Sequence, residues 1–201
     1  MAGHKGLTRE IIIEKAMALV IEKGYDGLSM RNLAKELGIK AASLYNHIQS
    51  TDDLKAEISM RVVDEFFSVQ EEAIKDKSPE EAIMALAHAY RKLAKEKHNV
   101  YDIAIALPTA ADAALYEKRK SFFYITMQAV GKFTLTEEQQ RFWQRALRVS
   151  MHGFVSLEKA GYFTNSVIDT EKSYDFIITN IINGLKQAEQ ETNKIKSNQT
   201  L

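Results

Sequence analysis

Residues 29–54 constrain the fold of this chain more than any other segment, and their sequence is SMRNLAKELGIKAASLYNHIQSTDDL. Ser29 can cap the free backbone N–H groups of a first helix, and the flanking leucines are spaced as a hydrophobic staple across that cap. Gly38 supplies the left-handed residue that ends the helix. A second helix, predicted over residues 40–47, begins with small and polar side chains that can lie close to another surface. The segment therefore predicts a helix-turn-helix.

Helix signals continue on both sides of this segment. Thr8 can cap a helix that ends at Gly24, and Ser50 opens a long helix that is predicted to extend to about residue 77. Two capping boxes follow, opened by Ser78 and Thr136. The later helices are predicted at about residues 78–97, 100–107, 110–132, 136–160 and 170–192, with residues 193–201 expected to be frayed.

No segment of the sequence favours a strand, so the predicted fold class is all-α with about nine helices. The three helices of residues 1–50 are expected to form an N-terminal helix-turn-helix domain. Residues 51–201 are expected to form a larger helical domain.

Charge gives weaker information than the helix pattern. The chain has 27 Lys and Arg residues and 27 Asp and Glu residues. Residues 1–50 hold 7 of these basic residues and 5 of the acidic ones, so a small basic excess lies in the predicted helix-turn-helix domain. The absence of Cys fits a reducing compartment. Residues 1–6 show no signal-peptide pattern, and the uncharged run at residues 121–131 is shorter than the roughly 20 residues that span a bilayer.

The run at residues 38–48, GIKAASLYNHI, resembles the helix-turn-helix of the TetR family of bacterial transcriptional regulators. Residues 152–161, HGFVSLEKAG, resemble more loosely a TetR subgroup named for a Trp-His-Gly signature. Met151 stands in the Trp position of that signature, and Asn99 stands where a Pro is usual. Ile48 and Thr51 likewise stand where the family usually has Phe and Lys.

The resemblance implies a C-terminal domain for ligand binding and dimerisation. It also implies a homodimer that binds a pseudo-palindromic double-stranded DNA operator, an unidentified small-molecule effector, no cofactor and no membrane association. The expected location is the bacterial cytoplasm, with nucleoid association when the protein is bound to DNA.

The predicted DNA contacts come from the start of the second helix and its surroundings. Lys40 can pair with guanine acceptors, and Ala41 or Ala42 can touch thymine methyl groups, whereas Tyr45 and His47 can donate hydrogen bonds to phosphates. The DNA-binding candidates are Ser29, Arg31, Lys40, Ala41, Ala42, Ser43, Tyr45, Asn46, His47 and Thr51. Lys5, Arg9 and Lys35 are further candidates for phosphate contact, although lysines such as Lys35 can equally well be solvated on a helix face.

Aromatic residues, methionines and a few polar groups in the larger domain suit an apolar or amphipathic effector. The candidate ligand-binding residues are Met84, His88, Arg91, Ile103, Phe122, Phe123, Tyr124, Met127, Trp143 and Met151. Such a stripe is also typical of plain core packing. His88 and Arg91 can bind an anionic group or be solvated. A metal site is not expected, because His98 and His152 have no partners at ligand spacing.

The last two helices are expected to form the dimer interface as a four-helix bundle. The candidates are Val149, His152, Phe154, Val155, Ser156, Tyr174, Ile177, Ile178, Ile181, Ile182 and Leu185, with Gly153 and Gly184 permitting close helix approach. Residues 176–185 contain no charge, which leaves a broad apolar arc for a surface helix. The alternative is a last helix buried wholly within one subunit.

The expected function is a sequence-specific DNA-binding regulator, a repressor released from its operator by a small molecule, and not an enzyme. A ligand-dependent co-repressor or activator is an alternative, because the sequence does not determine the sign of regulation. A helical enzyme and an interaction scaffold are the rival classes. A two-metal helical enzyme requires Glu-x-x-His pairs, and the sequence contains none.

Overall fold

A computed structural model of the chain describes residues 6–105, 124–164 and 167–199. The regular structure of these residues is entirely helical, which confirms the predicted all-α class. The helices are α1 Arg9–Lys23, α2 Met30–Leu37, α3 Ala41–Leu44, α4 Thr51–Ile74, α5 Pro79–Glu96, α6 His98–Ile105, α7 Glu137–Lys159 and α8 Thr170–Gln199. Residues 124–130 are also helical. None of the helices in these ranges is both long and apolar enough to cross a membrane.

Contacts between residues divide the chain into two compact units. The first unit contains the chain up to Phe66 and the segment that begins at Lys97, whereas the second contains Phe67–Glu96 and the chain from Arg119 onward. Helices α1, α2, α3 and α6 and the first part of α4 therefore belong to the first unit. The units are defined by packing, and the functional boundary at residue 50 remains a prediction.

Side-chain caps mark the starts of three helices of the first unit, α1, α2 and α4. Ser29 Oγ accepts a hydrogen bond from Asn32 N at 3.1 Å, and Thr8 and Ser50 cap α1 and α4 in the same way. At the end of α2, Gly38 has φ 68° and ψ 29°. Glycine adopts this left-handed conformation without a steric cost. The predicted starts of these helices and the predicted end of α2 are thus confirmed.

The second helix of the motif is shorter than the predicted range of residues 40–47. Helix α3 covers only Ala41–Leu44. The N–H groups of His47 and Ile48 both donate to the carbonyl oxygen of Leu44, at 2.9 Å each. This tight turn brings Ile48 into the core, where it is 1% exposed. The helix ends early because the chain turns to bury Ile48.

The core of the first unit is formed by one apolar face from each of its helices. Helices α1, α2 and α3 are in contact in sequence order, and α6 contacts α1. The buried side chains include Ile12, Ala16 and Val20 of α1, Leu33 of α2, Leu44 of α3, and Leu54, Ile58 and Val62 of α4. Burial of these faces leaves the opposite faces of α2 and α3 exposed.

Helices α5, α7 and α8 pack against one another in the second unit. Both predicted capping boxes are present. Ser78 N donates to Glu81 Oε2 at 3.0 Å, and Thr136 N donates to Gln139 Oε1 at 2.9 Å. The buried side chains include Ile83, Leu86, Ala129, Leu147, Val155, Ile178 and Leu185.

Helix α8 is longer than predicted, because it continues to Gln199 rather than ending near Thr192. Thr192 is 4% exposed, and its hydroxyl contacts Gln139 Oε1 of α7 at 3.0 Å. A polar residue near the C-terminus is thus anchored in the second unit. This anchor explains why the helix persists where the sequence predicted fraying.

Arg91 is a buried charge in the second unit, and its side chain is 4% exposed. Its Nε and Nη2 donate to the two carboxylate oxygens of Glu158 at 2.8 and 2.7 Å, and its Nη1 donates to Glu171. The guanidinium carbon lies 5.0 Å from the ring centre of Tyr174. One α5 side chain therefore links the end of α7 to the start of α8.

We expect this cluster to make the stability of the protein depend on acid pH. Hydrogen bonds from Arg91 hold the pKa of Glu158 and of Glu171 below the ordinary value of 4.5. A carboxyl group with a lowered pKa contributes stability above its unfolded pKa and loses that contribution as the pH falls through its folded pKa. The thermal midpoint of the wild-type chain should therefore fall as the pH drops below about 4.5, and Glu158→Gln should flatten this dependence.

A matched variant separates this effect from general acid denaturation. At neutral pH, Glu158→Gln should lower the free energy of unfolding by about 3 kcal/mol, as expected for breaking a buried ion pair. Glu137→Gln breaks the exposed pair with Arg141 and should cost less than about 0.5 kcal/mol. Equal acid slopes in wild type and Glu158→Gln, measured by calorimetry, would contradict the prediction.

Candidate nucleic-acid interface

The predicted recognition segment has one buried side and one exposed side. Leu44 is fully buried and Ile48 is 1% exposed, whereas Tyr45 is 58% exposed. The predicted DNA-contacting residues divide between two classes. Arg31, Lys40, Ala42, Tyr45 and Asn46 are exposed, and Ser29, Ala41, Ser43, His47 and Thr51 are half-buried. The packing of Leu44 and Ile48 thus leaves a mixed apolar and polar surface on α3 open to solvent.

Three cations lie near this exposed surface in the sequence and remain available. Arg31, Lys35 and Lys40 form no ion pair within the part of the chain that the structure describes. Lys15 differs, because its Nζ lies 3.4 Å from Glu36 Oε2. An unpaired, solvated cation can neutralise a phosphate without first breaking an internal contact. These three cations lie on α2 and directly before α3.

Arg9 has a structural role that the sequence did not reveal. The sequence placed it among the phosphate contacts, but its Nη1 donates to the carbonyl oxygen of His47 at 2.9 Å. Its guanidinium also forms two 3.3 Å hydrogen bonds with Asp53 and keeps the pKa of Asp53 below its ordinary value. Arg9 thus joins α1 to the end of the recognition segment and to α4. No local signal predicts a bond between residues so distant in sequence.

Two of the predicted DNA contacts lie beside the starts of helices. Ser29 Oγ already accepts the N–H of Asn32 as the α2 cap, which leaves its hydroxyl hydrogen available to donate. Thr51 is the first residue of α4, directly after the cap residue Ser50. Backbone and hydroxyl groups at helix starts suit phosphate oxygens. The assignment of both residues to DNA contact remains a prediction.

The predicted effector-binding residues are distributed among different environments. Met151 is 1% exposed, Met84, Met127 and Trp143 are half-buried, and Tyr124 is exposed. A Cβ atom at Gly184 would lie 2.2 Å from the Trp143 ring, so this ring packs directly on α8. Phe122 and Phe123 lie outside the described residues, as does the side chain of Ile103. The membership of an effector pocket therefore remains a prediction.

His88 and Arg91 do lie together, at a surface groove of about 240 Å³ that also contains Lys92, Lys95, Glu96 and Glu171. However, the carboxylates of Glu158 and Glu171 already bind Arg91, and His88 Nε2 lies 3.0 Å from Asp175 Oδ1. An anionic effector would have to displace these internal partners. Arg91 is thus held by internal carboxylates, and its assignment to an effector site remains a prediction.

The predicted dimer-interface residues also separate by exposure. Val149 is 64% exposed, whereas Tyr174, Ile178 and Leu185 are fully buried within the single chain. Phe154 and Val155 are 6% and 3% exposed, and Ile182 is 8% exposed. His152, Ser156, Ile177 and Ile181 are half-buried. Tyr174, Ile178 and Leu185 thus pack within the single chain, and the membership of the dimer interface remains a prediction.

The half-buried His152 is also engaged within the chain. Its Nδ1 lies 3.3 Å from the hydroxyl of Tyr90. Burial, assisted by the charge of Arg148, lowers the pKa of His152 below its ordinary value. Both effects favour the neutral form of the His152 imidazole.

Comparison with known families assigns both halves of the chain. Residues 12–58 match the family described as bacterial regulatory proteins, tetR family. Residues 83–181 match the tetracyclin repressor-like, C-terminal domain. The first match covers α1–α3 and the start of α4, and the second begins within α5, includes α6 and α7, and ends within α8.

Relatives of the chain are also named as regulators. It is 28% identical over 182 residues to the HTH-type transcriptional regulator Rv0681 of Mycobacterium tuberculosis, covering 90% of this chain and 83% of that protein. A 42-residue stretch is 48% identical to the biofilm operon icaADBC negative transcriptional regulator IcaR of Staphylococcus aureus, covering 21% of this chain and 23% of IcaR.

Solved structures show the same fold at low sequence identity. A protein from Rhodococcus sp. RHA1 is 18% identical with a TM-score of 0.78, covering 92% of this chain and 98% of that one. The TetR family protein ActR of Streptomyces coelicolor, solved in complex with (S)-DNPA, is 19% identical with a TM-score of 0.59, covering 90% and 98%. Together with the two family matches, these likenesses show that the chain belongs to the TetR family and is a DNA-binding transcriptional regulator with an N-terminal helix-turn-helix.

Proposed function

We propose that the chain is a repressor that binds a pseudo-palindromic operator as a homodimer and is released from it by a small molecule. The observation that carries this proposal is the surface of α2 and α3. There, the unpaired cations Arg31 and Lys40 flank the exposed Ala42, Tyr45 and Asn46. The relative IcaR is named as a negative regulator, which supports the sign. Operator binding places the working protein in the bacterial cytoplasm.

The start of α3 is proposed to read base edges in the major groove. Lys40 precedes the first helical residue and is exposed, so its amine can reach guanine acceptors. The methyl group of Ala42 is exposed for contact with a thymine methyl group. Tyr45 follows α3 and projects a hydroxyl that suits a phosphate. Lys40 and Ala42 would thus carry specificity, and Tyr45 would carry affinity.

We expect Lys40→Ala to change the sequence preference of binding, and Tyr45→Phe to change the affinity for all sequences. Lys40→Ala should cost about 1–3 kcal/mol of specific binding and relax the preference at one operator position. Tyr45→Phe should weaken binding to all duplexes by a similar factor, because a phosphate contact carries no sequence information. Fluorescence anisotropy with a duplex selected from random-sequence DNA, and with single-base variants of it, measures both effects.

Lys92→Ala is the charge-matched control, because Lys92 is an exposed lysine of the second unit. It should leave operator affinity and its salt dependence unchanged. A uniform loss for Lys40→Ala across all base variants would contradict the assignment of Lys40 to base reading. The absence of specific binding by the wild-type chain, including to the DNA upstream of its own gene, would refute the proposed operator function.

The exposed apolar side chains of α7 and α8 support a homodimer. Phe142 and Val149 are seven residues apart on α7, where they share a face, and they are 59% and 64% exposed. Among the described residues, a Cβ atom at Gly153, one turn further along, would meet no atom of another element within 4 Å. Phe176 of α8 is 70% exposed. A second copy of the chain is the proposed cover for this surface, because a two-fold dimer presents two recognition helices to a palindrome.

Val149→Asp should convert the dimer to a monomer and abolish tight operator binding, because the carboxylate would be desolvated at the interface. Ile195→Asp is the control, since Ile195 is 59% exposed elsewhere on α8 and should leave the dimer intact. Sedimentation equilibrium at micromolar concentration gives the oligomeric state. An unchanged dimer in Val149→Asp would show that another surface makes the interface.

Release by a small molecule is proposed to work by population shift. The second unit is proposed to have two arrangements, one that favours operator binding and one that does not. A ligand changes operator affinity by no more than the ratio of its own affinities for these two arrangements. The ActR structure was solved with a bound small molecule, which supports an effector site in this chain. In co-repression, the ligand would instead bind more tightly to the arrangement that favours operator binding.

We expect an apolar compound that raises the thermal midpoint of the free chain to lower its operator affinity at fixed salt. A screen by thermal shift identifies such compounds, and anisotropy at constant ionic strength measures the change in affinity. A compound that binds and leaves operator affinity unchanged would argue against allosteric release. Tighter operator binding would instead identify a co-repressor.

A further inference from the structure

The first turn of α6 lies against the last turn of α1, within the first unit. Asn99 Nδ2 donates a hydrogen bond to the carbonyl oxygen of Ile21 at 2.8 Å. The last carbonyl groups of a helix have no partner inside that helix. Asn99 therefore caps α1 from a distant part of the sequence. The opposed partial charges of the α6 start and the α1 end favour this arrangement.

Other contacts hold the start of α6 at this position. Lys97 forms an ion pair with Glu65 of α4. Gly24, the C-cap of α1, has φ 69°, and a Cβ atom there would lie 3.5 Å from Asn99 Oδ1. The Asn99 amide thus packs over the end of α1 in addition to bonding with it. The start of α6 is tied to α1 through Asn99 and to α4 through Lys97.

This contact lies immediately after a crossing between the two units. Within the described residues, the chain passes from one unit to the other inside α4, after Phe66, and between α5 and α6, after Glu96. The first crossing is a continuous helix. The second crossing falls between two separate helices, α5 and α6. A displacement at this crossing therefore reaches the DNA-binding helices only through the contacts that α6 makes. Asn99 belongs to the first turn of α6.

We propose that Asn99 is a positioning residue for operator binding, through which α6 sets the position of α1. Helix α1 contacts α2, and α2 contacts α3, so the end of α1 helps to orient the recognition segment. This inference deepens the proposed function and rests on it. Fixing the helices in advance lowers the ordering cost of binding, so removing the bond should reduce specific affinity.

Two substitutions at Asn99 test the role of the bond in the full-length chain. Asn99→Ala removes the amide, and Asn99→Asp keeps its shape but replaces the donor with a negative oxygen facing a carbonyl. We expect Asn99→Ala to weaken binding to the selected duplex about fivefold, the equivalent of one ordinary hydrogen bond, and Asn99→Asp to weaken it more. Amide exchange at residues 21–25 should accelerate in both variants. Affinity for random-sequence DNA at the same salt should change by less than about twofold, because phosphate contacts dominate it.

The control is His98→Ala, which changes the exposed neighbour of Asn99 on the same turn. Wild-type operator affinity in both Asn99 variants, or an equal loss in His98→Ala, would overturn the inference. So would an equal loss on operator and random-sequence DNA, because that result indicates local unfolding rather than displacement. Failure of the proposed function is distinguishable, since the wild-type chain would then show no preference for any duplex.

Discussion

A helix of four residues is too short to maintain its own orientation, because a single turn costs more backbone entropy than its hydrogen bonds return. Helix α3 is such a helix, so its position depends on packing. Leu44 and Ile48 anchor its inner side in the core. Gly38 fixes the turn that precedes it, and Arg9 binds the carbonyl oxygen of His47 that follows it. The outer surface of the recognition segment is exposed because Leu44 and Ile48 pack inward.

The second unit depends on a different kind of interaction. The buried Arg91 side chain binds the carboxylates of Glu158 and Glu171, of which only Glu158 is largely shielded from solvent, and it packs on the rings of Phe154 and Tyr174. Removing one member of such a cluster leaves a charge without its partner in a poorly solvated place, which is costly. Arg91 therefore stabilises the junction of α5, α7 and α8.

Local signals in the sequence were sufficient to place most helices. The caps at Ser29 and Thr136 and the left-handed Gly38 depend on residues three or four positions apart, so the sequence carries them directly. Helix ends set by distant contacts were missed. The early end of α3 follows from the burial of Ile48, and the persistence of α8 follows from the anchoring of Thr192.

The candidate binding surfaces were likewise predicted only as far as local sequence patterns reach. Periodicity identified the residues around α3 and the apolar arc of α8. It does not distinguish an apolar residue that is buried within its own subunit from one that is exposed on the surface of that subunit. Tyr174 and Ile178 are core residues, whereas Phe176 between them is exposed. Both kinds of residue have the same hydrophobicity, and only the positions of neighbouring helices separate them.

By itself, the sequence determined that this chain is all-helical, where its capped helices begin, and that it carries a helix-turn-helix of the TetR type. The helices follow from short-range hydrogen bonding and the period of apolar residues, whereas the TetR type follows from the resemblance of residues 38–48 to that family. The tertiary structure decided which charges are available to DNA and which are held inside. Arg9 and Arg91 resemble any other arginine in the sequence, and only the fold brings Asp53 and Glu158 within hydrogen-bonding distance of them.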